Sequence, residues 1–197
     1  MATITTPYSP MHIDCTIGQP YGNPSTGYSC GFHTGVDFPA SGTGQSNPDL
    51  YACMPGEIVY LYTNETHEGS GYSQALGNQV QILGDNGIYY RYCHMKYGTN
   101  THLTVGQRVD QNTYIGQMGN TGNSTGTHLH LEASTSQSWN CNNFIVPGDS
   151  LLFGNTRGTI VQYGGTPPPP PPPPHIKGKN KGWWLYTKKY NIKIGRW

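Results

Sequence analysis

Charge is scarce in this 197-residue chain, where Asp, Glu, Lys and Arg together make up 11% of the residues. Helix formers are also few, and no stretch keeps an amphipathic helical period over several turns, which argues against a helical domain. No run is apolar and long enough to span a bilayer. Residues 1–19 lack the basic start and the continuous apolar segment of a signal peptide, so none is expected there. The five cysteines form no C-x-x-C motif, and a thiolate metal site of that kind is not expected. Nor is there a paired-carboxylate motif of the type glycosidases use.

What remains is rich in Gly (27 residues) and Tyr (15 residues), with many Thr and Asn. Short runs of Val, Ile, Tyr and Thr at 57–63, 79–83, 88–92 and 128–132 are separated by Gly, Asn, Pro and Ser clusters. Asp85-Asn86-Gly87 between two of these runs is a strong hairpin signal. The pattern predicts an all-β fold: a single antiparallel β-sheet or sandwich domain. The length suits one domain with a proper core and is too short for two of ordinary size.

The most informative segment is His128-Leu129-His130-Leu131-Glu132-Ala133, which follows a Gly/Ser/Thr-rich run at 116–127. Side chains two apart on a strand share a face. His128 and His130 therefore point one way, and Leu129 and Leu131 point into a core. Two such imidazoles can share a metal, or one can bind it while the other handles protons. Upstream, Phe32-His33-Thr34-Gly35-Val36-Asp37-Phe38 offers an imidazole and a carboxylate, donors that suit a divalent, zinc-like ion. Tyr92-Cys93-His94 adds a further histidine at the end of a β-rich run. Four histidines and one aspartate exceed a three-ligand set by two. A surplus of that kind fits a hydrolytic site, which keeps an open position for water and needs proton handlers nearby.

This ordered set resembles the lysostaphin-type zinc endopeptidases that cut peptidoglycan peptides. Gly77-Asn78-Gln79-Val80-Gln81-Ile82, Val105-Gly106-Gln107-Arg108-Val109 and the stretch from Ile115 to His130 resemble the segments between that family's motifs. The likeness runs from about residue 13 to about residue 160. It implies a β domain with an active-site groove, a zinc ion held by His33, Asp37 and His130, and catalytic roles for His94 and His128. It also implies a peptidoglycan substrate, cut at an amide of the stem peptides or cross-bridges next to a small residue. One departure is Cys93, which stands where the family usually has a small residue before the catalytic histidine. A compact thiol in that place is expected to act as a core filler.

The charges divide the chain. All ten acidic residues lie within 1–166 beside only Arg91, Lys96, Arg108 and Arg157, leaving −6, whereas 175–197 carry seven basic residues and no acid, giving +7. Between them stand eight prolines at 167–174, expected to form a stiff polyproline rod of about 25 Å at ~3.1 Å per residue. The expected organisation is a peptidase domain at 1–166, a spacer at 167–174 and a basic aromatic tail at 175–197. Lysines beside Trp183, Trp184, Tyr186, Tyr190 and Trp197 in the tail suit a polyanionic glycopolymer, a membrane surface, nucleic acid or a protein partner, or else form a terminus with no single ligand. The expected partner is a bacteriophage tail protein or an anionic wall polymer. No nucleic-acid partner is expected. A hairpin of 184–186 with 190–194 is also permitted. A wall hydrolase without a leader would act extracellularly through phage lysis or as part of a virion. Two other readings are a structural phage-tail component with ancillary activity and a non-catalytic wall-binding module. Cys15 and Cys30, flanking the first loop, are the expected disulfide, with buried thiols elsewhere. His12, His67, His102 and His175 are expected at the surface or in loops.

Overall fold

Asp85-Asn86-Gly87 reverses the chain between two neighbouring strands of seven residues each. Gly87 supplies the positive φ of 79° that the turn needs, and its N–H donates to the Gly84 carbonyl at 2.8 Å. The structure is a computed structural model that describes residues 1–69, 75–165, 183–184 and 195–196. Its strands are β1 (Thr3–Thr6), β2 (Cys15–Thr16), β3 (Gly35–Pro39), β4 (Asp49–Tyr51), β5 (Gly56–Tyr62), β6 (Asn78–Gly84) and β7 (Tyr89–Met95). They continue with β8 (Arg108–Val109), β9 (Tyr114–Gln117), β10 (His128–Ser134), β11 (Phe144–Ile145) and β12 (Ile160–Tyr163). One four-residue helix, α1 (Pro147–Ser150), and a 3-10 turn at Ala40–Gly42 are the helical elements among the described residues.

The principal sheet runs β11-β10-β7-β6-β5-β8 and is antiparallel throughout. β10 is its hub. One edge of β10 pairs with β7, and the other pairs first with β3 and then with β11. The register sets His130 opposite both Asp37 of β3 and Cys93 of β7. Sequence motifs about 36 and 93 residues apart along the chain thus meet on three adjacent strands, and the pairing positions the site.

Alternation on β10 follows the expected period. Leu129 and Leu131 are fully buried, and they share the core with Val36, Phe38, Val80, Ile82, Tyr92 and Met95. Burying one such leucine stabilises the fold by about 1.5–3 kcal/mol. Cys93 is buried as a thiol, consistent with a packing role.

The all-β expectation matches the structure, with one exception to antiparallel pairing. β1 lies parallel to β12, from Thr3 beside Ile160 to Thr6 beside Tyr163, and β2 pairs antiparallel on the other edge of β12. A further small pair joins β4 to β9. His12 is half-buried, its ring stacked between Tyr51 at 3.7 Å and Tyr163 at 4.2 Å, so it packs rather than projecting freely. His67 and His102 are exposed, as expected, and His175 lies outside the described residues.

The disulfide expectation is corrected. Cys30 bonds Cys141, not Cys15. Cys15 sits on β2 inside the core, where its thiol donates to the Val161 carbonyl and burial pushes it up to about 12. Cys30 instead lies on a surface loop that faces Cys141. Cys15, Cys53 and Cys93 are buried thiols. In the tail, β13 (Trp183–Trp184) and β14 (Gly195–Arg196) pair antiparallel, a register wider than the expected hairpin. The proline run and the rest of that hairpin lie outside the described residues.

Candidate metal and catalytic centre

Two glycines let backbone approach the site closely. A side chain at Gly35, between His33 and Asp37, would meet the Leu131 carbonyl at 2.5 Å and the His130 ring at 2.9 Å. One at Gly119 would lie 2.5 Å from the Lys96 nitrogen and 2.9 Å from the His94 carbonyl oxygen. The first lets β3 press against β10, and the second lets the segment leading to His128 press against the end of β7. His94 itself has a φ of 57°, left-handed and rare outside glycine. Such a conformation costs about 1–3 kcal/mol and persists where the surroundings impose it. Here the His94 N–H is held by the Leu76 carbonyl and its ring by that of Thr121.

Three donor atoms converge. His33 Nε2, His130 Nδ1 and Asp37 Oδ1 lie 3.0, 3.1 and 2.8 Å apart pairwise. Ligands around a tetrahedral zinc-sized ion are separated by roughly 3.3 Å, so the group is close to the spacing such an ion requires.

The outward nitrogens decide which lone pairs face inward. His33 Nδ1 faces the Pro20 carbonyl at 3.0 Å, so it carries the proton and Nε2 is left bare. His130 Nε2 faces the Glu132 carboxylate at 3.1 Å, which leaves Nδ1 to point inward. Glu132 is 1% exposed and also accepts from Thr34 and from the Arg91 guanidinium. Burial would raise its carboxyl, but His130, Arg91 and Thr34 together bring it to about 2, so it is ionised. A carboxylate behind a ligating histidine fixes the ring and raises its basicity.

A proton can bridge the same atoms in the metal-free chain. Burial alone would lower His130, yet hydrogen bonds to Asp37 and Glu132 raise it to about 9. Burial likewise opposes ionisation of Asp37, but His130 and His33 hold its carboxyl far below the usual range. A divalent ion would displace that proton and satisfy all three donors at once. The donor set therefore fits a metal.

The other two histidines are held differently. His94 Nδ1 donates to the Thr121 carbonyl at 2.7 Å, and His128 Nδ1 donates to that of Gly126 at 2.8 Å, with Ser124 Oγ at 3.1 Å. Both therefore turn Nε2 inward. Their rings are 4.7 Å apart, and His128 Nε2 is 3.8 Å from Asp37 Oδ1. Burial, followed by the nearby His128 and His130, lowers His94 to about 3, so its ring is neutral. Beside His128 and Asp37 opens a cleft of about 660 Å³, walled by Gln19, Ser41, Gln45 and Thr127.

All five residues singled out in the sequence are thus brought together. The residues behind them were less visible. Glu132 follows His130 by two and shares its face by the same strand period, a signal present in the sequence. Arg91 and the carbonyls of Pro20, Thr121 and Gly126 carry no such signal.

Known proteins resemble this arrangement. Over 82 residues the chain is 34% identical to the peptidoglycan DD-endopeptidase ShyC of Vibrio cholerae, covering 42% of this chain and 18% of that protein. Over 120 residues it is 31% identical to the glycyl-glycine endopeptidase ALE-1 of Staphylococcus capitis, covering 60% of this chain and 29% of that protein. The chain therefore spans less than a third of the length of either relative. Among solved structures, the catalytic domain of lysostaphin from Staphylococcus simulans matches with a TM-score of 0.55 and 27% identity, over 70% of this chain and 92% of that one. Residues 31–142, more than half of the chain and inclusive of all five site residues, match the family model of Peptidase family M23, and the chain belongs to that family.

Proposed function

We propose that the protein is a zinc-dependent endopeptidase that hydrolyses amide bonds in the stem peptides or cross-bridges of bacterial peptidoglycan. In this reading His33, Asp37 and His130 hold the zinc, and His94 and His128 handle protons. The observation that carries it is the convergence of three donor atoms, with the outer nitrogens of both imidazoles committed to acceptors elsewhere. The names of the two relatives, endopeptidases of peptidoglycan and of glycyl-glycine bonds, support the substrate class.

Bound zinc supplies Lewis acidity, polarising the scissile carbonyl and acidifying water. The chain's own residues do the rest. The cleft beside His128 receives the peptide, and its amide and hydroxyl walls can hydrogen-bond an extended backbone. His94 and His128 turn bare Nε2 atoms inward, so one takes a proton from the attacking water. The protonated ring then stabilises the oxyanion or donates to the leaving amine. No side-chain nucleophile is required.

The tail supports a finer reading. A basic aromatic segment behind a proline run suits an anchor on an anionic wall polymer or a phage tail protein, with the enzyme serving phage wall penetration or lysis. The test pairs metal analysis with digestion of purified sacculi. Near one zinc per chain and new amino groups are expected. Sacculi that release reducing sugars without new amino groups would overturn the proposal.

A further inference from the structure

His33 depends on a surface loop. Residues 20–33 fold back on themselves, with Gly22 and Asn23 bonded to the His33 backbone and Pro24 bridged to Phe32. The same loop orients the ring through the Pro20 carbonyl. Residues 22–27 are exposed, whereas Tyr21 at the base of the loop is bonded to Asn155 and Phe144. Cys30 stands on it three residues before His33.

His130 is backed by a second loop, less directly. Thr135 and Asn143 close residues 135–143 at their base. Within the loop Trp139 lies over the Arg91 guanidinium at 4.0 Å and donates its indole N–H to Gln81 at 2.9 Å. Arg91 binds Glu132, and Glu132 accepts from His130. Cys141 is on this loop, and its bond to Cys30 spans 111 residues. The bond thus joins the loop that carries one imidazole to the loop that supports the other.

We propose that the Cys30–Cys141 disulfide is a positioning element of the metal site, holding His33 and His130 in the mutual placement that keeps the ion bound. The inference rests on the metal reading above. It adds that metal retention in this chain depends on the redox state of one bond. Cys141 is exposed and Cys30 half-buried, so a reductant can reach it, while the other three cysteines are already buried thiols. Disulfides persist in oxidising surroundings, and the site would be at its tightest there.

The test compares the zinc-loaded full chain with the double variant Cys30→Ser/Cys141→Ser. Zinc transfer to a colorimetric chelator is timed well below the melting midpoint of both proteins, and the visible spectrum of each cobalt-substituted form is recorded. Loss of outer support costs about 10–100-fold in metal affinity, so release at least about tenfold faster and altered cobalt bands are expected. Unchanged release and unchanged bands would overturn the proposal, leaving the bond as a staple of the fold alone. If the double variant does not fold, the native zinc-loaded protein is treated with a water-soluble phosphine instead. The disulfide takes up two electrons and two protons to give two thiols, and the phosphine becomes its oxide with oxygen from water. Faster release and altered bands after reduction then support the proposal, and no change in either overturns it. A native chain that takes up no metal overturns both readings, whereas normal uptake with unchanged release overturns only this one.

Discussion

The two halves of the site are built to different rules. Asp37 and His130 meet across β3 and β10, His33 joins them from the loop before β3, and His130 is backed by a buried carboxylate and a guanidinium. His94 and His128 stand where strands end or begin, and each is tied through Nδ1 to a backbone carbonyl, with Ser124 Oγ also beside His128. A charged partner raises the affinity of a ring for a cation, whereas a neutral carbonyl only orients it. On the proposed function, the first half is the one suited to hold a cation. On the same reading, the second is the one suited to proton transfer.

The largest effect expected from breaking this contrast is on the converging donors. Alanine in place of His33, Asp37 or His130 should abolish zinc retention and cleavage together, measured by metal analysis and sacculus digestion. Full occupancy in His130→Ala would remove that residue from the ligand set. In the other half, His128→Ala should keep its zinc and lose activity by roughly 10²–10⁴-fold, the usual contribution of a positioned proton handler.

Glu132→Gln tests the charged support that sets the first half apart. It should weaken zinc binding by about 10–100-fold. It should also leave Arg91 buried without its partner, at a cost on the order of 3–5 kcal/mol in denaturant unfolding. Normal affinity in a folded Glu132→Gln protein would show that the carboxylate does not tune the ring.

A pH series sharpens the same point on the metal-free protein. His130 is raised from its ordinary 6.5 to about 9, so its protonated form stabilises the fold. That contribution is complete below about pH 6.5 and is lost as the pH rises through about 9. Thermal melts of the metal-free form should therefore fall across this window. Zinc affinity should rise across it, because binding expels the proton. A metal-free midpoint that does not move between pH 6 and 9.5 would contradict the proton bridge.

The smallest effect is expected far from the chemistry. Deleting residues 167–197 removes none of the five site residues and should spare hydrolysis of a small soluble peptide. Lysis of whole walls should fall, because anchoring raises effective substrate concentration. Added salt should reproduce the loss if lysines meet a polyanion, since exposed charges are screened over about 8–10 Å.

Much of this was legible in the chain. Strand period two aligned His128 with His130 and sent Leu129 and Leu131 inward, and a three-residue turn signal placed the β6–β7 hairpin. The convergence of His33 and Asp37 on His130 came from resemblance, since no local rule brings β3 beside β10. Cys30 and Cys141 were unreadable as a pair, because connectivity over 111 residues depends on how two loops pack. The carbonyls that set each histidine's tautomer were hidden for the same reason. Every residue has a carbonyl, and only the fold decides which one faces a ring. The parallel pairing of β1 with β12 likewise joins strands that sequence order keeps far apart.

That last pairing has a mechanical consequence. β12, which ends two residues before Gly165, lies between β1 and β2. A pull transmitted along the chain from a tethered tail would enter through β12. It would strain the hydrogen bonds to both neighbours in shear, where they bear load together. The sheet carrying His94, His128 and His130 is a different one, so the load reaches a three-stranded clamp before it reaches the strands that bear those histidines.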